Sequence, residues 1–225
     1  MNGSIDLAAA VERIEALSAD LAKRSSGRTR LLPVTKAFPV AAVEAVRRAG
    51  LQEVGENYAQ ELLVKHEDPV GGGPGDMAWH LIGRLQRNKV RRLAGIVALW
   101  QTIDRVELLD EVARRDPAAR VLVQVDAVGL PGRGGCTPGE VEGLVAHGTD
   151  LGLDVRGLMT VGAPGEVDAT RRVFTTVADL AERLELPEVS MGMTDDFEIA
   201  IDCGSTLVRV GRALFGERPT AWQHT

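Results

Sequence analysis

Two rhythms of apolar residues take turns along this chain. Leu7, Val11, Ile14, Leu17 and Leu21 recur at steps of four, three, three and four, which predicts a helix with one apolar stripe, and Ser4 is its expected N-cap. The stretch Leu31-Leu32-Pro33-Val34-Thr35-Lys36-Ala37-Phe38-Pro39 breaks that period. A short apolar run that ends in turn residues reads as a buried strand, with Lys36 at its carboxyl end. Residues 40–49 are helical in pattern and stop at Gly50; residues 52–55 form a very short strand, followed by Glu56-Asn57-Tyr58. Helical spacing returns over 59–66, and the glycine-rich stretch 71–75 reads as a flexible connection, because it precedes a strand and lacks the GxGxxG spacing.

The same unit then repeats. Strands are predicted at 79–83, 96–103, 121–126, 155–161, 188–193 and 207–211, with helices at 85–93, 105–115, 138–147, 167–184 and 195–203. Strict alternation of strand and helix implies a parallel sheet with helices outside, and eight such units in 225 residues fit a closed (β/α)8 barrel of the TIM type. We therefore expect one domain over 1–225, with the first helix at about 4–24 outside a barrel at about 30–219. An open doubly wound sheet would carry a glycine fingerprint after its first strand, where Lys36 stands instead.

Composition narrows the function classes. Lysine and arginine number 26 against 32 acids, a net charge of −6, so no nucleic-acid or membrane partner is expected and any anion site is local. Cys136 and Cys203 fall in no CxxC pattern, and His66, His80, His147 and His224 are scattered, so no disulfide framework or metal site is indicated. The first residues carry acids and form no signal core, and no apolar run is long enough to cross a bilayer, so the cytoplasm is the expected compartment. Five positive charges lie between Arg84 and Arg92; a solvated helix face explains them better than nucleic-acid contact.

In such a barrel, chemistry gathers where the strands end. The predicted ends carry Lys36, Asn57, His80 with Gly83, Thr102 with Asp104, Asp126, Met159 with Thr160, Met191 through Thr194, and Arg209 with Gly211. A lysine partly desolvated by apolar neighbours has a lowered pKa and attacks aldehydes, although a stem laid along an apolar rim with its ammonium in water accounts for Lys36 alone. Barrels bind phosphate between the loops after strands seven and eight, where Ser190-Met191-Gly192-Met193-Thr194 and Arg209-Val210-Gly211-Arg212 fall. Thr194 also suits a plain helix N-cap, and Arg209 a salt bridge at the barrel rim. A reactive lysine facing a phosphate site suggests a phosphorylated aldehyde, and pyridoxal phosphate carries both groups.

The motifs VTK, VGENYAQE, WHLIGRLQRNK, TID, RGLMTV, SMGMTDDFEIAI and GSTLVRVGRALFGER, spread from about Leu31 to Pro219, resemble the pyridoxal phosphate homeostasis proteins. That resemblance implies a barrel like the alanine racemase amino-terminal domain. It implies Lys36 as the Schiff-base lysine, Asn57 near the cofactor ring, and Thr194, Gly211 and Arg212 at the phosphate, the last two through their backbone. Arg209 matches an arginine near the ring, where a guanidinium facing the pyridine nitrogen leaves the ring a weaker electron sink than a carboxylate would. With His80 and Met191 from the strand ends, these residues make up the expected cofactor-binding set. The sequence departs from the family pattern with Thr for Ser at 194, Arg84 where proline is usual, and Arg133 where lysine is common.

Racemisation needs an acid/base opposite the lysine. The only tyrosine is Tyr58, and the chain ends soon after the eighth strand. The expected function is thus a monomeric pyridoxal phosphate carrier that maintains vitamin B6 and amino-acid homeostasis, with apo-enzymes as recipients and no robust catalysis. A weak amino-acid racemase is the alternative.

Overall fold

The computed structural model describes residues 5–71, 76–129 and 134–217. Ser4, Arg133, Pro219, His224 and most of the 71–75 loop lie outside the described residues. The strands are β1 (Arg30–Pro33), β2 (Glu53–Glu56), β3 (Ala78–Leu81), β4 (Val97–Ile103), β5 (Arg120–Gln124), β6 (Asp154–Met159), β7 (Glu188–Ser190) and β8 (Leu207–Val210). Between and around them run α1 (Leu7–Arg24), α2 (Ala41–Arg48), α3 (Ala59–Glu67), α4 (Arg87–Leu93), α5 (Val106–Arg115), α6 (Val141–Asp150), α7 (Val167–Arg183), α8 (Phe197–Asp202) and α9 (Arg212–Phe215). The eight strands form one sheet in the order β1-β8-β7-β6-β5-β4-β3-β2, and every strand pair is parallel. This is the (β/α)8 architecture that the alternation of elements predicts.

The barrel is joined at β1 and β2 more lightly than elsewhere. Those two strands meet through a single bridge, Val34 to Gly55, in which the Thr35 N–H donates to the Gly55 carbonyl at 3.0 Å. Gly55 fits closely at that seam. A Cβ there would stand 3.2 Å from Leu32 Cδ2, 3.3 Å from Ile82 Cδ1 and 3.4 Å from Val34 Cγ2, so a side chain would crowd three interior neighbours.

Apolar residues fill two shells. Between barrel and helices, the Trp79, Trp100, Phe38, Phe174, Leu62 and Leu108 side chains are fully buried. Inside the barrel a small cluster of Leu99, Leu122 and Met159, with Val161 against it, supports the site from below. The helix α1 buries Ala10, Ile14 and Leu21 against the core and half-buries Leu7, Val11 and Leu17, which is the stripe read from the sequence. Its N-cap is Asp6, whose carboxylate accepts the Ala9 N–H at 3.1 Å. Arg13 ties α1 to the end of the chain by donating from Nε to the Leu214 carbonyl at 2.7 Å.

Several strands are shorter than the apolar runs that announce them. The first ends at Pro33 and the seventh at Ser190, so Lys36 and Met191 lie beyond strand ends, in loops at the barrel mouth. The four-residue α9 after β8 was not anticipated. No described helix is long and apolar enough to cross a membrane.

Candidate functional site

Lys36 stands at the junction of two adjoining cavities at the carboxyl ends of the strands. One, of about 270 Å³, is lined by Lys36, Asn57, Gln124, Asp126, Met159 and Arg209 among others. The second, of about 150 Å³, runs from Lys36 and Arg209 to Thr194, Gly211 and Arg212. Both also share Ile82 and Met193. Cavities of a few hundred Å³ suit a small molecule, and their joint lining mixes apolar walls with few polar groups.

The sequence-predicted residues separate into two groups. Lys36, Asn57, Thr194, Arg209, Gly211 and Arg212 are brought together around the cavities. His80 and Met191 line neither cavity among the described residues; both are buried. His80 lies within β3 and its ring is held inside the barrel, with Nδ1 2.9 Å from Gln101 Nε2. Met191 precedes Gly192, whose φ of +94° turns the chain sharply after β7.

Arg209 is the most constrained side chain of the site. It is buried, donates from Nη1 to the Ser190 hydroxyl at 2.7 Å and from Nη2 to the Thr160 carbonyl at 2.8 Å. Ser190 in turn donates to Gln101 Oε1 at 2.7 Å, and the Gln101 amide meets His80. Burial pulls the guanidinium down to about 10, with the Asp196 carboxylate opposing the shift, so it stays protonated at neutral pH. The expectation of a rim salt bridge therefore gives way to a buried cation held by neutral acceptors.

Thr194 is not the N-cap of the helix that follows. That position belongs to Asp196, and Thr194 is left half-buried on the cavity wall. The Asp196 carboxylate accepts the Met193 N–H at 2.6 Å and fixes the turn that carries Thr194. Gly211 follows β8; a Cβ there would come within 2.9 Å of the Val34 carbonyl, so the backbone of the two strand ends touches at this point. The exposed Arg212 pairs with Asp195 at 3.2 Å.

Residues that sequence reasoning missed support the site from outside the cavity. Glu56, Glu61 and Lys65 are buried together beside Lys36, and Gln101 and Ser190 lie beneath Arg209. A larger cavity, of about 810 Å³, is an open basic groove lined by Arg84, Arg87, Lys89, Arg105 and Tyr58, and meets the Lys36 cavities only through Asn57. Its charged side chains are largely exposed, with Arg87 paired to Glu111 at 3.4 Å and Arg105 to Asp104 at 2.5 Å, as a solvated face requires. The candidate site is the smaller pair, because a lysine and a buried guanidinium converge there.

The alanine racemase N-terminal domain family model matches residues 5–219. The pyridoxal phosphate homeostasis protein of Aquifex aeolicus is 36% identical over 230 residues, covering 97% of this chain and 99% of that one. The chain belongs to the pyridoxal phosphate homeostasis protein family. Among solved structures, PipY of Synechococcus elongatus with PLP bound is 29% identical, with a TM-score of 0.78 over 92% of this chain and all of that one. The alanine racemase of Streptomyces coelicolor is 26% identical with a TM-score of 0.76, over 96% of this chain and 60% of that one.

Proposed function

We propose that this protein binds pyridoxal 5'-phosphate at the paired cavities, holds it as a Schiff base on Lys36, and buffers the free aldehyde for delivery to apo-enzymes. The observation that carries this reading is the placement of Lys36 where the two cavities meet, together with Arg209. The residues fit the cofactor. A primary amine, a buried cation and an end lined by Thr194, Gly211 and Arg212 match an aldehyde, a ring and a phosphate in turn. The structure of PipY with PLP bound supports pyridoxal phosphate as the ligand.

Bound pyridoxal phosphate supplies an aldehyde that condenses with an amine with loss of one water. The chain's own residues do the rest. Lys36 provides the amine; Arg209, held by Ser190 and Thr160, lines both cavities. Thr194 offers a hydroxyl and Gly211 leaves backbone uncovered at the narrow end. The apolar Ile82, Val161 and Met159 line part of the wider end.

The lining favours a carrier over a racemase. Among the described residues around the two cavities there is no tyrosine, histidine or cysteine. Asp126 is engaged by the Val128 and Gly129 N–H groups at 3.1 and 2.9 Å, and Asp195 by Arg212. A tyrosine, histidine or cysteine to serve as the second acid/base across from Lys36 is thus absent from the described lining.

The test is spectroscopic. Protein with added cofactor is expected to show a visible Schiff-base band and, after borohydride reduction, one adduct on Lys36 by peptide mass spectrometry. If Lys36→Ala retains the band and the adduct appears elsewhere, the assignment is wrong. Solvent deuterium exchange at the α-carbon of alanine, lost in Lys36→Ala, would establish the racemase instead.

A further inference from the structure

The backbone on either side of Lys36 is gripped by a buried group of three charges. Lys65 Nζ donates to the Thr35 carbonyl at 2.7 Å, to Glu56 Oε1 at 2.5 Å and to Glu61 Oε2 at 3.2 Å. An ammonium has three donors, and here all three are used. Glu61 Oε2 accepts the Ala37 N–H at 2.8 Å. Glu56 accepts the Thr35 hydroxyl through Oε1 at 2.8 Å and the Asn57 N–H through Oε2 at 3.1 Å. All three side chains are buried, with Lys65 3% and Glu56 0% exposed.

Three features make this more than a buried ion pair. The peptide before Lys36 is held at its carbonyl and the one after it at its N–H, so the lysine is bracketed by two fixed peptides. Ala37 has φ +59°, a left-handed conformation unusual for a residue with a side chain, and the Glu61 contact falls on that residue's amide. The cluster also spans the seam between β1 and β2, where the sheet itself contributes only the Val34–Gly55 bridge, and it reaches Asn57 on the far side. Burial raises the pKa of Glu56, with the Lys65 ammonium opposing that shift.

We infer that Lys65, Glu61 and Glu56 are positioning residues that clamp the two peptides flanking Lys36 and hold it in register with Asn57 for Schiff-base formation. The inference rests on the reading of Lys36 as the Schiff-base lysine. The cluster touches backbone and carries its effect to the cofactor through Lys36. Small displacements of a reacting group are costly, so loosening the bracket weakens capture of the aldehyde even where the barrel stays folded.

The discriminating pair is Glu61→Ala against Glu61→Gln. Glutamine keeps an acceptor for the Ala37 N–H, and alanine removes it. Pyridoxal phosphate titration followed by absorbance is expected to show affinity on the order of tenfold weaker in Glu61→Ala, with restoration toward wild type in Glu61→Gln. The pH midpoint of the visible band is expected to move in the alanine variant alone. Wild-type affinity and midpoint in Glu61→Ala, with only a lowered melting temperature, would overturn the clamp.

Hydrogen exchange on the unaltered protein without cofactor gives a check that no variant can confound. The Ala37 amide is expected to exchange as slowly as amides of the barrel strands, and exchange at a free-loop rate overturns the clamp even if both variants unfold. Failure of the site reading looks different. Wild-type protein with no borohydride adduct on Lys36 overturns that reading and the clamp's role with it, whereas a normal adduct in wild type and both variants with unchanged affinity overturns the clamp alone.

Discussion

Arg209 donates to the hydroxyl of Ser190 at 2.7 Å, and through that hydroxyl the guanidinium at the site is joined to the floor of the barrel. The donor order is set at each step. Arginine only donates, so Ser190 accepts from it and passes its own proton to Gln101 Oε1 at 2.7 Å; the Gln101 amide then donates to His80 Nδ1. Four buried polar residues from β8, β7, β4 and β3 are thereby satisfied by one another.

Removing the middle of that chain isolates both ends. In Ser190→Ala the Gln101 carbonyl and an Arg209 N–H each lose a buried partner, which costs on the order of 1–3 kcal/mol for each group left unmade. Urea unfolding is expected to show a lower midpoint with an unchanged slope. Pyridoxal phosphate affinity is expected to fall with it, because Arg209 retains only the Thr160 carbonyl as a fixed partner. An unaltered midpoint would show that water replaces the hydroxyl.

His80 gives the protein a definable acid response. Burial depresses its pKa to about 4; the Glu53 carboxylate, 3.9 Å away, opposes the shift and the Arg30 cation adds to it. The unfolded chain takes up the proton near the ordinary value of 6.5. Between those values the unfolded state binds more protons, so the stability from neutral His80 is complete above pH 6.5 and is lost as pH falls toward 4. The loss is on the order of 3 kcal/mol at the lower limit. Stability curves of wild type and His80→Gln are expected to draw together over this window, and parallel curves would show that His80 does not stay neutral.

What was legible in the sequence was the part fixed by local pattern. Alternating strand and helix periods gave the barrel, and the placement of chemistry at or just past strand ends brought Lys36, Asn57, Arg209 and Gly211 to one mouth. Side-chain depth was not legible. His80 reads as a mouth residue until its ring is seen buried against Gln101. Glu61 and Lys65 sit four apart with the acid first, the spacing of an ordinary exposed pair on a helix. Only the packing of α3 over the β1–β2 seam turns that pair inward, toward Glu56 at the end of β2, which the sequence pattern places just after the strand.

The two cysteines should differ sharply in reactivity. Burial pushes the Cys136 thiol up to about 12, with the Glu140 carboxylate adding to the shift, and the residue is 4% exposed. Cys203 is half-buried on the outside of the barrel, near the Thr175 hydroxyl at 3.6 Å. Since the thiolate is the nucleophile, iodoacetamide at neutral pH is expected to label Cys203 in the native protein and Cys136 only after unfolding. Peptide mass spectrometry reads this directly, and prompt labelling of Cys136 would mean that the β5–α6 connection opens under native conditions.

Gly83 marks a close approach of backbone to backbone beside the site. A Cβ there would lie 2.0 Å from the Asn57 carbonyl oxygen, and its own carbonyl accepts the Thr102 hydroxyl at 2.8 Å. Neither neighbour can yield easily. Asn57 is tied through its N–H to Glu56, and Thr102 belongs to a central strand. Gly83→Ala must therefore push the end of β2 away from β3, moving Asn57 off the cavity wall that it shares with Lys36. The expected cost is about 1–3 kcal/mol in stability, the usual range for an overpacked interior. Cofactor affinity is expected to fall further than in Ser190→Ala, because the displacement acts on a cavity-lining residue and on the seam at once. Equilibrium unfolding together with cofactor titration separates the two effects, and wild-type values in both would show that the loop after β3 has room to move.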